Sequence, residues 1–243
     1  MTYKELSDMM DVLSSRYAQL KDVTFVPFDE YEKSLFLTKA ANEIVKEMLP
    51  FYDRNEKIKK QLLTITKSIQ INVIYGMAGN YRLKSDSLVY ELPIDVMYIV
   101  AESLRSPNNI ILRRIKPLKD DEAYHTFDNP FRTPSRGYAF RSGVTNNGSG
   151  TDKRYSEIIT DVSASTAPQY FIKYICNVPP FIVTDNLEDA SINGVSANVL
   201  LDSEAPLSIL HERILDRAII IGYMAKSDDP NSKSSALGLS KDS

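Results

Sequence analysis

Phe28 to Leu49, FDEYEKSLFLTKAANEIVKEML, is an amphipathic helix with its own start signal. Asp29 is placed to cap it. Glu30 and Glu32 fall in the first turn, where the positive end of the backbone dipole favours carboxylates. Leu37, Ala40, Ala41, Ile44, Val45 and Met48 then recur at the three-and-four spacing of one buried face. Pro50 ends the pattern, because it cannot continue a helical hydrogen-bond ladder. Physics alone reads a packed helix here, and its neighbours must supply the surface it packs on.

Working outward, Thr2 to Leu20 reads as a first helix, with Thr2 and Glu5 as a capping box and Leu6, Met9, Met10, Leu13 and Tyr17 on one face. Glu56 to Ile69 reads as a third, with Ile58, Leu62, Ile65 and Ile69 aligned, although Thr64 and Thr66 weaken its second half. After residue 70 the pattern changes. Ser87–Leu92, Met97–Leu104, Ile110–Lys116, Arg136–Arg141, Tyr155–Val162 and Gln169–Val183 are rich in Val, Ile, Tyr and Phe and are separated by turn residues, as strands are. Asn108-Asn109 marks a hairpin turn, and Leu118–Phe127 reads as a short helix. Pro206 to Lys226 returns to helical spacing through Leu207, Leu210, Ile214, Leu215, Ala218 and Ile221.

The expected fold class is therefore α+β. A helical segment (1–70) precedes a β-rich segment (71–205, an antiparallel sheet or sandwich). A C-terminal helix (206–226) packs back on the helical segment, and a flexible tail (227–243) follows. All of this is expected to form one structural unit. Gly143–Thr151 has no apolar anchor after Val144 and is expected to be a mobile loop.

With 243 residues, 43% hydrophobic and 25% charged, the chain has the composition of an ordinary globular protein able to bury a core. No apolar run is long enough to span a bilayer, so no membrane contact is expected. MTYKELSDMM has neither the basic flank nor the apolar centre of a secretory signal. The single cysteine, Cys176, excludes an internal disulfide framework. A net charge of −3 argues against a protein that coats nucleic acid. Trp is absent while Tyr numbers 14, and Tyr suits surfaces buried between subunits.

The search for chemistry returns little. His125 lies among Asp121, Glu122 and Asp128, without the ligand spacing a metal site needs. His211 opens the last helix with no Gly-x-Ser-x-Gly nucleophile to serve. Cys176 sits in an apolar strand, with no basic neighbour in sequence to activate it. Asp120-Asp121 and Asp228-Asp229 read as solvated pairs, and Gly148-Ser149-Gly150 lacks the ending of a phosphate-binding loop. No catalytic residue, cofactor or metal is expected. Arg113, Arg114, Lys116 and Lys119, followed by Arg132, Arg136 and Arg141 with Tyr138 and Phe140 interleaved, are a modest basic cluster. Such a cluster suits stacking on single-stranded bases, the charged solvent face of a strand pair, or a rim contacting an acidic neighbour. Arg132, Arg136, Tyr138, Phe140 and Arg141 are taken as candidate interface residues, with Pro230, Leu237 and Leu239 as anchors for the tail.

The order of residues adds a resemblance. Tyr31-Glu32-Lys33-Ser34 leading into Phe36-Leu37-Thr38-Lys39-Ala40 is similar to a segment near the start of head-to-tail ring (connector) proteins of crAss-like and related Bacteroidetes bacteriophages. Leu92-Pro93-Ile94-Asp95, Lys116-Pro117-Leu118, Asn129-Pro130-Phe131-Arg132-Thr133-Pro134 and Tyr138-Ala139-Phe140-Arg141 follow in that family's order. So do Tyr170 to Ile175, Val178-Pro179-Pro180-Phe181-Ile182-Val183, and His211, Ile214, Leu215 and Ala218. The resemblance implies a structural virion protein that forms a homo-oligomeric ring of about twelve copies in the head-to-tail connector. It would be stacked below the portal protein, contact neighbouring ring or tail proteins, and pass double-stranded DNA through its lumen. Assembly would take place in the host bacterial cytoplasm. A nucleic-acid-binding or other non-ring virion protein is the alternative.

Overall fold

The computed structural model describes residues 1–21, 27–74, 87–118, 138–146, 154–198 and 200–226. The chain divides into two compact units. One runs from Met1 to Ile65 and takes up the described chain again from Asn177. The other is Thr66–Cys176. The architecture is α+β.

In the first unit, α1 spans Tyr3–Lys21 and α2 Glu30–Met48; α3 is short, Glu56–Gln61, and α4 spans His211–Lys226. Both long N-terminal helices start on reciprocal caps. Thr2 N–H donates to Glu5 and Glu5 N–H to Thr2 Oγ1, at 2.9 and 3.2 Å. Glu32 N–H donates to Asp29 and Asp29 N–H to Glu32, at 2.7 and 3.1 Å. Each satisfies helix-end donors that otherwise lack partners. All six apolar residues expected on the face of α2 are buried. Leu49–Arg54, with Pro50 in its first turn, tightens into a 3₁₀ helix.

In α1 the buried line is Leu6, Met10, Ser14 and Ala18, one residue per turn, while Met9 is 41% exposed. The small Ser14 and Ala18 belong to a close approach: Tyr223 of α4 donates its hydroxyl to Ser14 O at 2.8 Å and stacks on Tyr17 with centroids 4.8 Å apart. Helix α4 also lies antiparallel on α2. Arg217 pairs with Glu47 near one end, and Lys226 Nζ lies 2.7 Å from Glu32 Oε2 at the other. Gly222 permits this contact, since a Cβ there would stand 2.6 Å from Phe28 Cζ.

The second unit is one seven-stranded sheet: β1 Thr66–Asn72, β2 Leu88–Leu92, β3 Val96–Arg105, β4 Ile111–Pro117, β5 Tyr138–Asn146, β6 Arg154–Ile159 and β7 Gln169–Cys176, in the order β1-β7-β3-β4-β5-β6-β2. All neighbours are antiparallel except β4 and β5. The strands at the two ends of that order approach each other. Ile74 N–H donates to Val89 O at 2.9 Å, and Tyr90 of β2 packs on Tyr170 of β7, with centroids 5.2 Å apart. The sheet thus curls toward closure, and Tyr90 and Tyr170 are fully buried.

Three local expectations are corrected. The third helix stops at Gln61, and Thr66–Ile69 are strand, with Ile69 40% exposed. β-Branched Thr66, Ile69 and Ile71 favour an extended backbone once β7 is there to pair with it, while Leu63–Ile65 before them form a 3₁₀ turn. The last strand stops at Cys176 rather than Val183, because Pro179 and Pro180 have no N–H to offer a ladder. The chain beyond runs over α2, whose side chains replace the ladder: Phe181 N–H donates to Thr38 Oγ1 at 2.8 Å and Val183 N–H to Ser34 Oγ at 3.1 Å. Finally, Gly143–Asn146, expected in a loop, are the end of β5, since Val144, Thr145 and Asn146 pair with β6 through backbone groups that do not depend on side-chain polarity. The expected helix Leu118–Phe127 falls outside the described residues after Leu118, as does the tail 227–243.

Candidate functional site

Of the candidate interface residues, Tyr138, Phe140 and Arg141 are described; Arg132, Arg136, Pro230, Leu237 and Leu239 lie outside the described residues. Parallel pairing of β4 with β5 puts Arg114 opposite Tyr138 and Lys116 opposite Phe140. Tyr138 is 37% exposed, and the Lys116 ammonium sits over its ring at 3.9 Å from the centroid. That cation–π contact occupies one face on which a base would stack. Arg141 turns inward to Glu102, with Nε 2.9 and 3.2 Å from the two carboxylate oxygens, and Tyr170 donates its hydroxyl to the same Glu102 at 2.6 Å. Burial, first, and then the Glu102 charge push the Tyr170 phenol far above its ordinary range, so it stays a donor.

Two more arginines of the sheet, Arg113 and Arg105, are engaged within it. Arg113 holds Asp161 with two hydrogen bonds of 2.8 and 2.6 Å, and that hydrogen bonding keeps the Asp161 carboxyl below its usual range. Arg105 lies 3.7 Å over the Phe171 ring. In the sequence Arg113 and Arg141 fall in one basic cluster because their partners are remote in the chain: Glu102 is 39 positions from Arg141 and Asp161 is 48 from Arg113.

The candidates for chemistry resolve individually. Cys176 is buried at the end of β7, and burial pushes its thiol up, away from a reactive thiolate. His125 lies outside the described residues. His211 is buried, with Nε2 2.9 Å from Pro206 O, a bond in which the ring nitrogen donates. Burial, foremost, lowers its pKa below the ordinary imidazole value. The unfolded chain therefore binds the proton more readily than the folded one. The contribution of neutral His211 is complete above about pH 6.5 and is lost as pH falls from there toward the depressed folded value. Thermal unfolding measured from pH 7.5 to pH 5.5 is expected to show a falling midpoint, and His211→Gln is expected to flatten that slope. An unchanged slope in the variant would contradict the assignment. Among the described residues no group of three or more His, Cys, Asp or Glu is arranged to hold a metal ion, and no helix is long and apolar enough to cross a membrane.

Two surface features carry more structure than an ordinary exterior. The first is the β3–β4 hairpin, turning where Asn108-Asn109 predicts. Asn109 takes the left-handed conformation (φ 63°) that Asn tolerates, and its side-chain oxygen accepts from Arg105 at 2.7 Å and from Gln70 at 2.9 Å. Ser106 closes the turn by accepting the Ile110 N–H. On this braced tip Ile110 and Ile111 are 63% and 56% exposed.

The second is a groove of about 620 Å³ in the helical unit, between the starts of α1 and α2 and the stretches around Thr184 and Asp202. Val183 and Leu201 contribute its apolar lining, and Leu200 stands 65% exposed beside them. Among the described residues, Asp8, Glu30, Asp185 and Asp202 face it, against a single cation, Lys4.

Neither feature nor any side-chain constellation above resembles an active site, whereas both are suited to contacts between proteins. Comparison with known proteins identifies the family. Ring protein 3 of Bacteroides phage crAss001 is 28% identical over 242 residues, covering 93% of this chain and 97% of the relative. Ring protein 4/5 of the same phage is 30% identical over 243 residues, covering 94% and 95%. The family described as phage tail ring protein 3/4 matches residues 1–234. The chain thus belongs to the phage tail ring protein 3/4 family, structural proteins of the virion and not enzymes.

Proposed function

We propose that this protein forms a closed homo-oligomeric ring of about twelve copies in the head-to-tail connector, stacked below the portal, bridging it to the tail and giving passage to double-stranded DNA. The near end-to-end similarity to two ring proteins of one phage carries the reading. The surface supports it, because solvent-facing apolar side chains occur on both units: Val12, Leu20 and Phe51 on one, Ile94, Ile110 and Ile111 on the other. A protomer with neighbours on two sides needs contact surface of this kind. A reconstruction of the virion tests it. Density for this chain as a ring on the portal–tail axis is expected, and single copies elsewhere would overturn the reading. Nucleic-acid binding as the main role is disfavoured, since Arg113 and Arg141 are each paired with a carboxylate within the sheet.

In the assembled particle the residues beyond Lys226 act as a clamp, with Pro230, Leu237 and Leu239 as anchors on an adjacent subunit or ring. Tethering raises the effective concentration of such contacts. Lys226 is itself tied down, to Glu32 and to Pro27 O at 2.7 and 2.9 Å, so truncation after Lys226 leaves the helix end anchored. The truncated protein is expected to fold with an unchanged unfolding midpoint but to assemble particles less efficiently. Normal assembly and normal particle stability would remove the clamp from the account.

A further inference from the structure

We propose that the β3–β4 hairpin of one copy seats in the groove between α1 and α2 of the next copy, and that this contact propagates the ring. The inference rests on the ring reading above. A ring closed by rotation uses two different, complementary faces on every copy, and these two features are complementary in polarity and charge. The hairpin tip is braced by the Arg105 and Gln70 bonds to Asn109, with Ile110 and Ile111 exposed to solvent. The groove is a concavity of about 620 Å³ with Val183 and Leu201 in its lining and Leu200 at its edge. Placing the isoleucines against those residues gives an apolar centre with a polar rim, the usual anatomy of a protein–protein contact.

The rims match in sign. Residues 103–117 carry four basic side chains (Arg105, Arg113, Arg114 and Lys116) and no acidic one, and Arg113 is already paired with Asp161, which leaves Arg105, Arg114 and Lys116 for the rim. Four carboxylates face the groove against one lysine, and among the described residues none of the four is in an ion pair. The exposed Arg114 is likewise outside those pairs. Charge of this arrangement adds orientation and partner choice more than raw affinity. It opposes hairpin-to-hairpin and groove-to-groove contacts, which would give a two-fold dimer in place of a ring.

The test is a cross-link in assembled particles. Ile110→Cys and Leu200→Cys, both at exposed positions, are placed in the same chain, and particles are oxidised and run without reductant. A ladder of covalent oligomers is expected, since each copy shares one thiol with each of its two neighbours. Either single variant is expected to stay monomeric on the gel, Cys176 being buried. Rings visible on the portal–tail axis with no ladder would overturn the hairpin contact and leave the ring reading intact. Particles without such rings would overturn the ring reading and this contact with it. Charge reversal provides the second arm. Arg114→Glu is expected to lower ring incorporation at least tenfold without moving the unfolding midpoint, and Asp185→Arg with Asp202→Arg in the same chain to restore it. Unimpaired incorporation of Arg114→Glu, or no recovery with the groove reversals, would count against the proposal.

Discussion

Glu102→Ala is expected to destabilise the protein by about 3–5 kcal/mol, the usual cost of removing one partner of a buried ion pair. The Glu102 side chain is 7% exposed and that of Arg141 is 16% exposed. Without the carboxylate, the Arg141 guanidinium keeps little access to water, and the Tyr170 hydroxyl loses its acceptor inside the curled sheet. An uncompensated buried charge accounts for most of the loss, more than the Coulomb energy of the pair itself. This makes a further expectation possible. Replacing all three together (Glu102→Leu, Arg141→Met and Tyr170→Phe) removes the desolvated polar groups along with their bonds and is expected to recover most of the stability. Chemical denaturation of the unaltered protein, the single variant and the triple variant checks both points. A loss below about 1 kcal/mol for Glu102→Ala, as for an exposed pair, would mean that water reaches the triad.

Phe181→Ala is expected to cost about 3–5 kcal/mol as well, through a different mechanism: a cavity. The Phe181 ring is fully buried and meets Tyr3 edge-on, with centroids 6.0 Å apart. Its backbone N–H is held by Thr38, so the chain cannot easily collapse into the space left behind. Hydrogen exchange separates this from a merely local effect. The expected result is faster exchange at both Phe181 and Val183, because the ring and the two hydroxyl acceptors on α2 hold the same extended segment. If exchange changes at neither amide while stability falls, the ring supports the core without fixing that segment.

Much of the fold was legible in the chain because the signals are local. Caps act over three residues, as Thr2 with Glu5 and Asp29 with Glu32 do. Helical faces repeat every three or four, and the six apolar positions of α2 were readable for that reason. A left-handed turn residue such as Asn109 acts where it stands. Period alone did not distinguish helix from strand at Thr66–Ile69, where Ile65 and Ile69 fit a helical face as well as they fit β1.

The candidate surface was less legible. Tyr138, Phe140 and Arg141 were identified as one group with the arginines around them, yet the structure turns Arg141 inward to Glu102 and covers one face of Tyr138 with Lys116. The groove had no sequence signal at all, since its acids come from positions as far apart as Asp8 and Asp202.

By itself, then, the sequence determined the α+β class, the three long helices with the starts of the first two, the positions of most strands, the β3–β4 turn and the ring-protein resemblance. Each of these depends on neighbours in the chain or on residue order. Only the tertiary structure decided where β7 yields to an extended segment held by Ser34 and Thr38, that β4 and β5 run parallel, and which charges are already paired. The physical reason is that hydrogen bonds and ion pairs are satisfied by whatever lies within about 3 Å, and residues that close in space are often scores of positions apart in the chain.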